Sequence, residues 1–315
     1  MNGITSVLGV KYPIIQGGMG NISNAILTAA VSEAGGLGTI GAGTMPADEV
    51  EKIILETKSR TQKPFSVNVA ISVSPNVVEI LRLAVKHKVQ VVTLSAGNPA
   101  PFIPKLKEAG IKIITVVASV KQAKKAEAAG ADILVAEGYE AAGINSNLET
   151  TTLALIPQIV AQVNIPVVAA GGIGDGKGLA AMLALGASGV QMGTRFIATK
   201  EAPFHENYKQ KLLQASDHET VIVGRSVGRI RRLLNTSYAG KLLEAERQGL
   251  TPEEFAELTT EELHKKGALE GSEEHGFMNG GQVSGLVSDV PSVQELLDRM
   301  VIEAKDRLRV AELLL

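Results

Sequence analysis

The chain has 315 residues, is 45% hydrophobic and 20% charged, and carries a formal net charge of -2. This apolar content allows a large core, and the near-neutral balance offers no field for gripping nucleic acid, so no DNA or RNA partner is expected. Cysteine is absent, which excludes disulfides, thiolate zinc sites and thiol nucleophiles together.

Residues 1–11 show no basic stretch followed by an apolar signal core, and no run of about 18 apolar residues occurs. The expectation is a cytoplasmic protein with no membrane partner. Aromatic residues make up 3% with no Trp, while Gly numbers 33. Backbone shape rather than aromatic stacking must then form much of any binding site.

In chain order, 12–15 reads as a short strand ended by Gln16-Gly17-Gly18-Met19-Gly20. Ser23 or Asn24 can cap a helix to residue 34, stopped by Gly35-Gly36. Residues 37–40 read as the second strand, 48–59 as an amphipathic helix, and 65–70 as the third strand, with Asn68 near its tip. A helix after Pro75, ending near residue 86, leads to a fourth strand at 90–94. The unit repeats as helix 103–109, strand 111–116, helix 120–129 and strand 132–136. The loop 137–147 is longer and rich in small residues; then come helix 148–162, strand 165–170, helix 177–185 and strand 189–192.

Alternation at spacings of about 25 residues, with short strands lacking a polar face, predicts an α/β fold, a (β/α)8 TIM barrel, against an open doubly wound sheet as competitor. Small-residue loops at nearly every strand end favour closure, because in a barrel they converge on one mouth. The Gly-x-Gly pairs at Gly36 to Gly38 and Gly41 to Gly43 lack the G-x-G-x-x-G spacing of a dinucleotide fingerprint.

Beyond Thr199 the pattern changes. Residues 205–215 read as helix, 220–223 as a strand, 225–242, 252–258 and 260–266 as charged helices, 276–285 as a flexible glycine-rich stretch, and 292–314 as a terminal helix. The expected organisation is a barrel over 1–200, an appended helical, lid-like subdomain after strand eight over 201–290, and a C-terminal helix over 291–315.

Gly171-Gly172 and Gly193-Thr194 end the last two barrel strands, where this fold has its phosphate site, so they read as an anion cradle. Gln16 to Met19 ends the first strand. Asn68 is polar where apolar residues usually fill the wall, and its amide can donate and accept at a heterocycle edge. Glu137 follows a buried strand and should point into the mouth; Glu140 lies in the same loop. No histidine has metal-ligand spacing, so no metal is expected. Arg225, Arg229 and Arg232 fall on one face of the expected helix, either solvated or meeting a pyridine nucleotide or an acidic carrier. Residues 278–285 are placed to fold back over the site.

As an ordered set, Pro13-Ile14-Ile15-Gln16-Gly17-Gly18-Met19, Ala34-Gly35-Gly36-Leu37-Gly38, Asn68, Ala96-Gly97-Asn98-Pro99, Glu137-Gly138-Tyr139-Glu140-Ala141, Ala169-Ala170-Gly171-Gly172-Ile173 and Gln191-Met192-Gly193-Thr194-Arg195-Phe196 resemble the nitronate monooxygenase (2-nitropropane dioxygenase) family. They look closest to its enoyl-acyl carrier protein reductase II branch, and the resemblance runs to Gly280-Gly281-Gln282. It implies an FMN-dependent oxidoreductase, with the cofactor phosphate on Gly172, Gly193 and Thr194 and its ring near Gly18, Met19, Asn68 and Glu137. Gly17, Gly143, Gly171, Gln191 and Met192 complete the implied cofactor set.

One departure stands out: the family continues Glu-Ala-Gly-Gly-His where this chain has Glu140-Ala141-Ala142-Gly143-Ile144. The family's acid or base is thus Ile144 here, and no catalytic side chain is assigned. The implied activity is oxidation of alkyl nitronates with oxygen. The alternatives are NADH- or NADPH-dependent reduction of an enoyl thioester and a flavin-binding barrel without activity. Small-molecule or acyl-thioester substrates are the expected partners, with a homodimer as one assembly open to the chain.

Overall fold

Runs dominated by Val, Ile, Leu and Ala lie side by side as eight parallel strands in the computed structural model, which describes residues 3–315. Residues 1 and 2, the start of the stretch read as lacking a leader, lie outside the described residues. The first half comprises α1 (Ile4–Leu8), β1 (Ile14–Gln16), α2 (Ala25–Glu33), β2 (Gly38–Gly41), α3 (Ala47–Arg60), β3 (Phe65–Ala70), α4 (Val77–Lys86) and β4 (Val91–Ser95). There follow α5 (Ile103–Glu108), β5 (Lys112–Val117), α6 (Val120–Ala129), β6 (Ile133–Glu137), β7 (Gly143–Ile144), α7 (Thr152–Val160), β8 (Val167–Ala170), α8 (Gly176–Ala184) and β9 (Gly189–Met192).

Neighbours run β1, β9, β8, β6, β5, β4, β3, β2, all parallel. The cylinder closes between β1 and β2: Ile15 bridges Leu37, Gln16 N–H donates to Leu37 O at 2.9 Å, and Leu37 N–H donates to Ile14 O at 3.0 Å. The open-sheet competitor is therefore excluded. Polar caps start the helices where the spacing placed them. Asn24 accepts from Leu27 N–H, Ser119 from Gln122 N–H and Asp175 from Gly178 N–H.

Inside the barrel, Ile15, Leu37, Val91, Ile114, Ile133, Val135 and Val168 form a closed apolar plug with Ile4 and Leu8 of α1. The sequence reading missed α1, whose five residues are too few to show a period. It seals the end of the barrel opposite the strand tips.

Beyond β9 come α9 (Thr194–Ile197), α10 (Glu206–Leu213), β10 (Thr220–Val223), β11 (Arg231–Leu234), α11 (Ser237–Arg247), α12 (Pro252–Leu258), α13 (Glu261–Ala268) and α14 (Val293–Leu313). Three expectations need correction. First, 225–242 is not one helix: β11 pairs antiparallel with β10, and the helix begins only after Thr236, which caps it. Arg231 to Leu234 are all buried, and Gly224 and Gly228 at φ of 80° and 67° make the turn that a helix would forbid.

Second, Arg225, Arg229 and Arg232 share no helical face. Arg225 pairs with Glu149 at 3.0 Å on the surface, while Arg232 is buried and donates to Tyr139 O at 3.0 Å and Thr220 Oγ1 at 3.1 Å. Arg229 stays exposed near Pro252 O. The strand expected at 220–223 is β10, and it gains an unexpected partner in β11; the small sheet is completed by β7, which pairs Ile144 with Arg231 and Gly143 with Arg232. Third, 276–285 is packed rather than loose: Phe277, Met278 and Ser284 are fully buried, and Gln282–Leu286 forms a 3-10 turn.

The added segment has its own apolar core of Val223, Leu233, Tyr238, Leu242, Phe255 and Phe277. α14 returns to the barrel wall, burying Leu296, Leu297 and Met300, and packs so tightly on α8 that a Cβ at Gly176 would lie 2.4 Å from Met300 O. Among the described residues no helix is long and apolar enough to cross a membrane.

Candidate active site

The C-terminal strand tips open into one cavity of about 960 Å³, at the upper end of the roughly 300–1,000 Å³ usual for small-molecule sites. Every residue assigned to cofactor binding from the sequence lines it, Gly143 of the strand-six loop included.

The glycines expected to cradle an anion lie at the tips of β8 and β9. Gly171 and Gly172 sit at φ of 100° and 74°, a left-handed conformation in which a side chain would be strained. A Cβ at Gly171 would come within 2.8 Å of Thr152 Oγ1 and 2.9 Å of Gly138 O, so only glycine lets the strand tip turn here. Gly193 differs. A Cβ there would meet no protein atom within 4 Å, so a side chain would project into the cavity itself. Thr194 is buried, and its Oγ1 accepts from Gly281 N–H at 3.0 Å while keeping its own proton for a ligand.

Thr152, which the sequence reading overlooked, holds this cradle together. It is 2% exposed; its hydroxyl lies 2.9 Å from Glu140 Oε2 and 3.1 Å from Gly171 O, and its N–H donates to Glu140 at 2.9 Å. Glu140 is accordingly a bracing carboxylate that ties the strand-six loop to the start of α7. Gln282 N–H then donates to Glu140 O at 3.0 Å and brings the 278–285 segment over the cradle.

On the opposite wall Asn68 uses Nδ2 on Ser95 Oγ at 3.0 Å, leaving Oδ1 as an acceptor. A Cβ at Gly18 would lie 2.8 Å from that Oδ1, so the bare glycine leaves room for the amide. Glu137 ends β6 opposite Ala170, and burial alone pushes its carboxyl up to about 7. A carboxyl in that range sits in either protonation state near neutral pH.

The roof contributes groups that no local pattern revealed. Glu261 and His264 of α13, Arg231 of β11, Tyr208 of α10 and Asn279 all line the cavity. His264 Nε2 lies 3.0 Å from Asn279 Nδ2 and its Nδ1 3.5 Å from Glu261 Oε2, while its ring stacks on Phe277 with centroids 5.2 Å apart. Glu261 Oε2 also accepts from Asn21 N–H at 3.2 Å, clamping the roof to the β1 tip. Despite burial, His264, Arg231 and the Asn21 N–H hold the Glu261 carboxyl down at about 2. Ile144 also lines the cavity, but its apolar side chain moves no proton. Among the described residues no group of three or more His, Asp or Glu is placed to hold a metal ion.

The family model described as nitronate monooxygenase matches residues 2–303. A structure of FabK from Thermotoga maritima is 40% identical, covers 100% of both chains and superposes with a TM-score of 0.95. A nitroalkane oxidase structure from Streptomyces ansochromogenes is 28% identical with a TM-score of 0.86, covering 98% of this chain and 99% of that one. By sequence, an octahydroindene-carboxyl-CoA dehydrogenase of Mycobacterium tuberculosis is 34% identical over 99% of this chain and 98% of its own length. A probable nitronate monooxygenase of Staphylococcus haemolyticus is 33% identical over 98% of both.

Proposed function

Since the chain belongs to the nitronate monooxygenase family, a family of flavin-dependent oxidoreductases, we propose that its cavity holds FMN and oxidises alkyl nitronates with oxygen. The observation that carries this reading is the side-chain-free space at Gly193, beside the hydroxyl of Thr194 and the left-handed Gly171-Gly172 tip. A phosphate needs such a cradle, and an N–H at the edge of an isoalloxazine would find an acceptor in Asn68 Oδ1, whose Nδ2 is held by Ser95 and Thr93.

When bound, FMN supplies the two-electron chemistry. The chain's own residues do the rest. Gly172, Gly193 and Thr194 would take the phosphate; Gly18, Met19, Asn68 and Glu137 would border the ring, and Gly17, Gln191 and Met192 would complete the wall around the cofactor. The 278–285 segment and the roof residues would cover the cofactor from one side. A nitronate arrives already deprotonated, which suits a site where Ile144 replaces a proton-moving side chain.

The near-complete similarity to FabK favours a second reading at the same site, reduction of an enoyl thioester with NADH or NADPH as electron donor. Both readings treat 1–200 as the catalytic barrel, 201–290 as its cap and 291–315 as the closing helix, in a cytoplasmic enzyme. The test is an absorption spectrum of the purified protein, with the released chromophore identified by mass. Oxygen uptake on ethyl nitronate and thioester-dependent NAD(P)H oxidation then separate the two. Protein that stays colourless in excess FMN refutes both.

A further inference from the structure

Three arginines are buried, Arg195, Arg231 and Arg232. Arg195 donates to Ala198 O at 3.0 Å and Asp289 Oδ1 at 2.5 Å, and Arg232 donates to Tyr139 O and Thr220 Oγ1. Arg231 is different. It is 8% exposed, lines the cavity, and its Nη1 is buried with no hydrogen-bond partner among the described residues. Its guanidinium lies 4.8 Å over the Phe277 ring, and Glu261 acts on it through space without a hydrogen bond.

Burying a guanidinium without oxygen partners is costly, and native proteins rarely leave such a group unsatisfied. Nη1 itself is closed off, but the part of the guanidinium that stays accessible faces the cavity this residue lines, and an acceptor for those N–H groups can come from there. Directly across the small sheet from Arg231 is Ile144, and Ala141 and Ala142 border the same space. An oxygen seated here is therefore held by charge and fork geometry, with no proton accepted or returned, because arginine does not deprotonate in proteins. A planar fork of N–H donors matches planar oxygen-bearing groups. The Oδ1 of Asn279, also buried and unpartnered, sits in the same roof.

Resting on the reading above, we propose that Arg231 is the group that grips the substrate's oxygen, in a planar conjugated function that carries negative charge there. In a nitronate that charge is present from the start, on the nitrogen-bound oxygens. In an enoyl thioester it develops during reduction. There a hydride, which NAD(P)H would supply by way of the bound cofactor, would add to the β-carbon, the displaced π pair would end on the thioester oxygen beside Arg231, and a solvent proton would complete the α-carbon. Arg231 acts on the shared feature, the oxyanion.

The test uses the full chain, flavin-loaded and flavin-stripped, with Arg231→Met and Arg231→Lys. Nitrate serves as a planar, unreactive probe in calorimetric titration, and kcat/KM is measured on ethyl nitronate and on a crotonyl thioester. Arg231→Met is expected to weaken nitrate and to lower kcat/KM about tenfold to a hundredfold on whichever substrate turns over, the usual range for losing a charged hydrogen bond. Arg231→Lys should retain part of both. Because Arg231 also acts on the buried Glu261 carboxylate, Arg231→Met should cost some stability; the readout that a purely structural arginine would not move is nitrate affinity in folded protein, compared with Arg231→Lys, which keeps the charge beside Glu261. Two results overturn the proposal: unchanged nitrate affinity and kcat/KM in Arg231→Met, or a Met variant that fails to fold while Arg231→Lys folds. A parent that binds nitrate through Arg231 but never takes up flavin refutes the cofactor reading and leaves this one standing. Response to the nitronate alone or the thioester alone identifies the source of the oxyanion.

Discussion

Substitution at Gly193 tests the phosphate cradle with little risk to the fold. Its backbone, at φ of -115° and ψ of -68°, suits an L-residue, and a Cβ there has open space on every side. Gly193→Ala, Gly193→Asn and Gly193→Asp should all fold like the parent. Asn and Asp occupy nearly the same volume, so the difference between them isolates charge. A carboxylate about 5 Å from a phosphate bearing roughly two negative charges is repelled by about 2 kcal/mol at the dielectric of water and by about 7 kcal/mol at an effective value of 20. The lower figure, about 1.7 kcal/mol before rounding, already means roughly 15-fold weaker binding of FMN to Asp than to Asn. Titration of flavin-stripped protein, followed by quenching of flavin fluorescence, measures this. Riboflavin, which has no phosphate, should bind the Asp and Asn variants alike, and added salt should narrow the gap for FMN. Equal FMN affinity in the two would place the phosphate elsewhere in the cavity and sink the argument.

Glu137 should make the flavin-stripped protein less stable as pH rises. Its carboxyl is raised to about 7 in the fold, so below the unfolded value near 4.3 both states are protonated and nothing is lost. Between there and about 7 only the unfolded state ionises. Glu137→Gln should therefore match the parent at pH 4 and exceed it above pH 7 by up to about 3 kcal/mol in denaturant unfolding; a constant difference across pH would contradict the assignment. Thr152→Val removes the hydroxyl shared by Glu140 and Gly171 and should cost about 1–3 kcal/mol of stability, with weaker FMN binding seen in the same quenching titration. Ile4→Ala, at the sealed end of the barrel, should cost about 2–5 kcal/mol and leave FMN affinity unchanged, since it touches the plug and not the mouth.

The barrel was legible because its strands are short β-branched runs between amphipathic helices, a pattern that survives without tertiary information. Observed strands such as Phe65–Ala70 and Gly189–Met192 coincide with the sequence expectation. The cradle glycines were legible for a related reason: their place at strand tips follows from the count. The Arg231–Leu234 strand was not. Charged residues at 225, 229 and 232 mimic a helical face, and only pairing with β10 and β7 overrides that local pattern. Arg231, Glu261, His264 and Asn279 reach the cavity through docking of the roof, a contact between segments far apart in sequence that no periodicity encodes. Thr152 is hidden for a simpler reason, since a threonine at a helix start looks like any other cap.

The strand contributed by the loop after β6 changes how molecules can enter and leave. Because β7, in the loop that follows β6, is laddered to β11, which bridges Asn279 through Leu233, the cover is stitched to that loop and cannot swing out as a hinged flap without tearing those bonds. Elsewhere the cavity meets solvent beside the β4 and β5 tips, where Gly97, Asn98, Gln122 and Lys125 stand exposed at its edge. A small reactant fits such a side door. A larger ligand held beneath the cover would leave only as the stitching opens, so its residence would follow the stability of the cover.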